Sequence, residues 1–125
     1  MSIIHHAELP HATLPGIDHM TLAAGHLGLQ RLSVWKQRID PHQATPPHRH
    51  DCEEVVVVLG GRGELHIDGR VESFGPDSSL VLKPNVPHQI VNVGDEPLDL
   101  VAVLSMTPVT VEFPDGSPLP LPWQS

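Results

Sequence analysis

The chain has 125 residues, 39% of them hydrophobic, which is enough for one domain with its own core and argues against wholesale disorder. Its 10 glycines and 14 prolines are spread along the chain and read as turns. With 15 acidic against 7 basic residues the net charge is -8; this charge, and the lack of any basic stripe, exclude nucleic acid as an expected partner.

No window shows sustained helical periodicity. Residues 1–30 read as an N-terminal arm with one short strand around residues 20–22 and another starting near Leu29; the arm is a candidate for pairing across a dimer. From Leu32 onward, short strands alternate with turn signals, the pattern of a sandwich or barrel. Residues 32–39 alternate and stop at Asp40-Pro41. Residues 54–59 are a β-branched apolar run suited to a buried strand, and Gly60-Gly61-Arg62-Gly63 breaks it. Residues 64–67 and 70–74 flank Asp68-Gly69, a strong hairpin signal because a type I′ turn needs positive φ at both central positions. Strands follow at 79–82, 88–93 and 98–104, separated by turns at 83–87 and 94–97, with one more expected at 109–113. The tail, residues 114–125, carries four prolines and is expected to lie extended over the surface. About eight to ten strands with little or no helix make an all-β chain. Closure into a barrel or a double-sheet jelly roll would remove or shorten its exposed edges.

The longest apolar run, residues 55–60, is far too short to span a bilayer, so no membrane partner is expected. Residues 1–10 lack the basic-then-apolar pattern of a signal peptide. The single cysteine, Cys52, cannot form an internal disulfide, and a reducing cytoplasm is the expected setting.

Ten histidines and no tyrosine direct attention to metal ligation and away from phenol acid–base chemistry. His48-Arg49-His50-Asp51-Cys52-Glu53-Glu54 lies between two expected strands. Residues two apart in extended chain share a face, so His48 and His50 share one, and Glu54 joins them if no bulge intervenes. A one-residue bulge would present Glu53 instead, and an exposed polar turn is the alternative for the two histidines. His88 opens a later strand and can close the site from a neighbouring one. Three imidazoles and a carboxylate suit Fe, Mn, Ni, Cu or Zn and suit Mg or Ca poorly. Cys52 reads as a small buried hydrophobe near the site. His42 reads as a turn residue or an entrance histidine, and Asn92 as a structural hydrogen-bonding residue. His5, His6, His11, His19 and His26 read as surface residues, and His66 as solvent-exposed.

His48-x-His50-x3-Glu54-x6-Gly61 resembles the first cupin motif, and His88-x3-Asn92 resembles the end of the second. The resemblance covers residues 40–93, with compatible strand patterning to 113, and makes residues 31–113 the barrel domain. It implies a jelly-roll β-barrel holding one divalent transition metal per chain, with His48, His50, Glu54 and His88 as ligands. His42, Asp77 and Asn85 stand where the family has glycines, and Asn and Asp tolerate the left-handed conformation better than most residues. Lys83 takes the place of a family proline.

Four protein ligands on a six-coordinate metal leave two open positions. The expected function is therefore metal-dependent chemistry on a small organic molecule, of dioxygenase type by family analogy. Glu54, if released from the metal, is the candidate general base. The alternatives are isomerase or lyase chemistry on a Lewis-acid metal and a non-catalytic small-molecule-binding or sensing cupin. A homodimer is expected, with the outward Val55 and Val57 as candidates for cover by a second sheet or a partner.

Overall fold

Eleven strands and two single-turn 3-10 helices make up the computed structural model, which describes residues 2–125. The strands are β1 (His11–Leu14), β2 (Ile17–Ala23), β3 (Ser33–Ile39), β4 (Arg49–His50), β5 (Glu54–Gly60), β6 (Gly63–Ile67), β7 (Arg70–Phe74), β8 (Ser78–Leu82), β9 (His88–Asn92), β10 (Leu98–Leu104) and β11 (Val111–Glu112). A six-stranded sheet runs β1-β2-β3-β10-β5-β8, a three-stranded sheet runs β7-β6-β9, and β11 pairs with β4.

The all-β architecture expected from the turn pattern is present. In β5 the β-branched run alternates: Glu54, Val56 and Val58 are buried, and Val55 and Leu59 are exposed. β10 alternates in the same way, with Leu98, Leu100, Ala102 and Leu104 inward. These side chains meet Leu65, Ile67 and Ile90 of the smaller sheet in one core. Leu98 and Leu104 are fully buried, and each such side chain contributes roughly 1.5–3 kcal/mol. Asp68 and Gly69 have φ of 51° and 71°, which fits the type I′ turn, and the flanking strands pair Ile67 with Arg70.

Several local expectations change. The first hairpin begins earlier, at His11, and turns at Pro15-Gly16, where Gly16 has φ of 75°. β2 then pairs with β3 of its own chain along its length, so the region around residues 20–22 is an integral part of the large sheet. No strand starts near Leu29; a 3-10 turn at Gly25–Leu27 precedes, and β3 begins only at Ser33. Within residues 109–113 only Val111 and Glu112 form ladder pairs, with His50 and Arg49.

His42, Asp77 and Asn85 have φ of 63°, 61° and 61°. All three positions that take the place of family glycines therefore keep the left-handed backbone. Asn92 is structural: its amide donates to the carbonyls of Ile39 and Glu96, and its oxygen accepts from Gly94 N–H.

Candidate metal centre and its chamber

Three different pieces of backbone deliver the four predicted ligands. His48 and His88, forty positions apart in sequence, are antiparallel bridge partners whose backbone groups exchange hydrogen bonds of 3.0 and 2.9 Å. His50 sits in β4, and Glu54 opens β5 with its side chain inward. One ring nitrogen from each of His48, His50 and His88 lies within 4.8 Å of the other two. Glu54 Oε1 is 2.9 Å from His50 Nε2 and 3.6 Å from His88 Nε2. No bulge exchanges the neighbouring carboxylates, since Glu53 is exposed.

The other ring nitrogen of each histidine is committed to a main-chain carbonyl. His48 Nδ1 donates to Pro46 O at 2.7 Å, His88 Nδ1 to Val86 O at 3.0 Å and His50 Nδ1 to Cys52 O at 3.3 Å. A carbonyl can only accept, so each bond places a hydrogen on Nδ1 and leaves Nε2 facing the centre. Cys52 is buried, as expected, with Sγ 3.4 Å from His50 Nδ1.

Burial, and then the neighbouring His88, lower the His48 pKa to about 4, so its ring is neutral at neutral pH. Burial alone would also lower His50, but its bonds to Cys52 and Glu54 outweigh that effect and raise it to about 10. Burial alone would raise Glu54; the hydrogen bond and charge of His50 outweigh it and hold the carboxyl down, at about 2. Without a cation the cluster is thus a His50–Glu54 ion pair beside the neutral His48 ring. His88 Nε2 is then buried with no hydrogen-bond partner. Such an orphan costs about 1–3 kcal/mol, and a cation would satisfy it. Metal–ligand bonds of roughly 2.1 Å put opposite donors about 4.2 Å apart, so donors within 4.8 Å fit around one ion after a small contraction. The donor set fits a transition metal.

The cluster lies at one end of a partly open cavity of about 50 Å³. Apolar side chains of the large sheet, among them Ile17, Val56, Leu100 and Ala102, form much of its wall, with Gln37 and Thr45 as polar additions.

The cupin domain family matches residues 35–104. The chain belongs to the cupin family. This cupin is 36% identical over 107 residues to auxin-binding protein 1 of Arabidopsis thaliana, covering 78% of the chain and 54% of that protein. It is 35% identical over 128 aligned residues to auxin-binding protein T85 of Nicotiana tabacum, covering 91% and 68%. The chain therefore spans about half the length of the first relative and about two thirds of the second. Among solved structures, a polyketide cyclase of Streptomyces resistomycificus superposes with a TM-score of 0.75 at 24% identity, over 87% of this chain and 83% of that one. That likeness supports the cupin jelly-roll fold. Among the described residues, no helix is long and apolar enough to cross a membrane.

Not every histidine lies where the sequence places it. His19, expected at the surface, is 1% exposed. It alternates with Asp18 and Met20 on β2 and shares the inward face with Ile17 and Thr21; that parity was the available signal. His5, His6, His11 and His26 are exposed, and His66 is partly exposed beside Glu64. His42 is an exposed turn residue, 2.9 Å from Asp95. The tail does not simply cover the surface of this cupin. Leu119, Leu121 and Trp123 pack against the core and line the cavity, while Pro118, Pro120 and Pro122 face outward. The Leu-Pro-Leu-Pro-Trp alternation carries that signal. Both tryptophans of the chain stand at the cavity, and both indole N–H groups are buried without a protein acceptor.

Proposed function

We propose that this cupin holds one divalent transition metal (Fe, Mn, Ni, Cu or Zn) on His48, His50, Glu54 and His88 and uses it to bind a small organic acid. The observation that carries this reading is the orphaned, buried His88 Nε2 facing Glu54 and His50. When bound, such a metal supplies Lewis acidity to an organic oxygen and, if redox-active, a centre for oxidation.

The chain's own residues prepare the site for this task. The three Nδ1–H bonds to backbone carbonyls hold the imidazoles in the ligating tautomer. The mainly apolar wall would receive the hydrocarbon body of the ligand. Plant relatives named for auxin binding support an acid with an apolar body as the ligand class. Equilibrium dialysis of zinc-loaded protein against an auxin such as indole-3-acetate tests this reading. Binding that disappears with the metal supports it; equal binding with and without metal contradicts it.

The enzymatic reading keeps the same centre. Four protein donors on a six-coordinate ion leave two positions, which supports dioxygenase-type oxidoreductase chemistry. Glu54, if released from the metal, would take a substrate proton as general base. Oxygen consumption by the iron-loaded protein with candidate acids distinguishes this from binding alone. The buried free thiol of Cys52 accords with a reducing, cytoplasmic setting.

A homodimer is part of the proposal. Val55 (39% exposed) and Val81 (69% exposed) are register partners on the outer face of the large sheet, with Val103 opposite Val55 on β10. Light scattering checks it: a dimer for the native chain and a monomer for Val81→Glu are expected.

A further inference from the structure

The cavity is too small for the ligand that the metal reading calls for. About 50 Å³ has room for only a few water molecules, whereas sites for organic ligands occupy roughly 300 Å³ or more. Room for such a ligand therefore needs a wall that gives way. Most walls of the chamber are ladder strands. Leu119, Leu121 and Trp123 lie outside the named strands and, with Val111 of β11, line both the chamber and an outer groove of about 560 Å³. The tail is the partition between the two volumes.

Its composition makes the partition detachable. Prolines at 118, 120 and 122 have no N–H to give to a ladder. Of the remaining N–H groups in that stretch, among the described residues, only that of Leu119 bonds to barrel backbone, at Val111 O. A turn lies just before it, with Gly116 at φ of 88°. The far end is held by a side-chain relay from inside the barrel. Gln37 Nε2 donates to His19 Nδ1 at 3.0 Å, His19 Nε2–H donates to Thr21 Oγ1 at 2.8 Å, and the Thr21 hydroxyl donates to Gln124 O at 2.6 Å. The His19 ring also stacks on Trp123, with centroids 3.7 Å apart and planes within 8°. Thr107 and Val109 hold Ser125 in addition.

We propose that residues 118–125 are a hinged door between the outer groove and the metal chamber, turning at Gly116 and latched by the stacking of His19 on Trp123. The groove is then the port by which the organic ligand reaches the metal. His19 is a positioning residue that acts through Trp123 and Thr21. The proposal rests on the metal-and-acid reading for the identity of what passes, but the door itself can be read without metal.

The test uses diethyl pyrocarbonate on the metal-free full chain, with labelling of His48 followed by peptide mass spectrometry and exposed His5 as internal standard. Trp123→Ala and His19→Ala are expected to label His48 about tenfold faster than the native protein, since each raises the open population. Trp123→Phe keeps a ring on His19 and should label near the native rate. Thr21→Val, which keeps the size of the side chain but loses the bond to Gln124, should label at an intermediate rate. It also decides the matter if either alanine variant fails to fold. Native labelling rates at His48 in the folded variants would overturn the door, even where every variant binds one metal. Faster labelling in proteins that bind no metal would keep the door and remove the metal reading.

Discussion

The two ends of the chamber are built on opposite terms. At the metal end, every ligand stands on or beside a strand, and His48 and His88 are tied to each other through their backbones. At the other end, a stretch with proline at alternate positions is held by a stack and a few side-chain bonds. Preorganised donors suit a metal, which tolerates little error in ligand position. A wall with few ladder bonds suits an opening that a ligand must pass. The difference teaches that one small barrel can keep a fixed reactive end and an adjustable entrance by rationing backbone hydrogen bonds between them.

The largest expected effect breaks the fixed end alone. His48→Ala and His88→Ala should each reduce bound metal from about one equivalent per chain to a small fraction, with the far-UV circular dichroism retained. Unchanged metal content in both variants would remove the site assignment. Next in size is the contrast in packing. Leu98→Ala, at a fully buried position, should cost about 3 kcal/mol in urea unfolding. Leu121→Ala, at a half-buried position in the door, should cost about 1 kcal/mol. Equal losses would mean that the tail is as firmly built in as the sheet.

The smallest effect is the pH dependence, which touches both ends. Burial lowers His19 to about 3 and His48 to about 4, while unfolded imidazole titrates near 6.5. As pH falls from about 6.5 toward 4, the unfolded chain takes up protons that these two folded rings refuse, so their contribution is full above 6.5 and lost on acidification. His50 has the opposite sign. Its raised pKa gives a contribution already complete below about 6.5, so it does not offset the loss in that window. Urea midpoints of the metal-free protein should fall between about pH 6.5 and 4.5, and fall less steeply in His19→Leu. A flat profile would show that neither ring is held neutral by the fold.

The fixed end was also the legible end. Parity along an extended chain places His48, His50 and Glu54 on one face, and the cupin spacing adds His88; the backbone bridge that joins His48 to His88 is tertiary and leaves no local trace. The turns at Asp68-Gly69 and Asn85 were readable because few residues accept positive φ. The entrance was not readable in the same way. His19 lies in a short strand among Pro, Gly and His, and its stacking partner is more than a hundred positions away. The tail's Leu-Pro alternation looks like a surface segment until a cavity is present for the leucines to face. Contacts between distant segments, rather than local propensity, decide that half of the molecule.

Titration of the metal-free protein with cobalt, with absorbance and released protons recorded together, tests the central claim most directly. We expect saturation at about one equivalent per chain and release of about one proton near neutral pH, as the cation displaces the proton held between His50 and Glu54. No saturable cobalt binding, or binding that persists when His48 and His88 are both replaced by alanine, would contradict it.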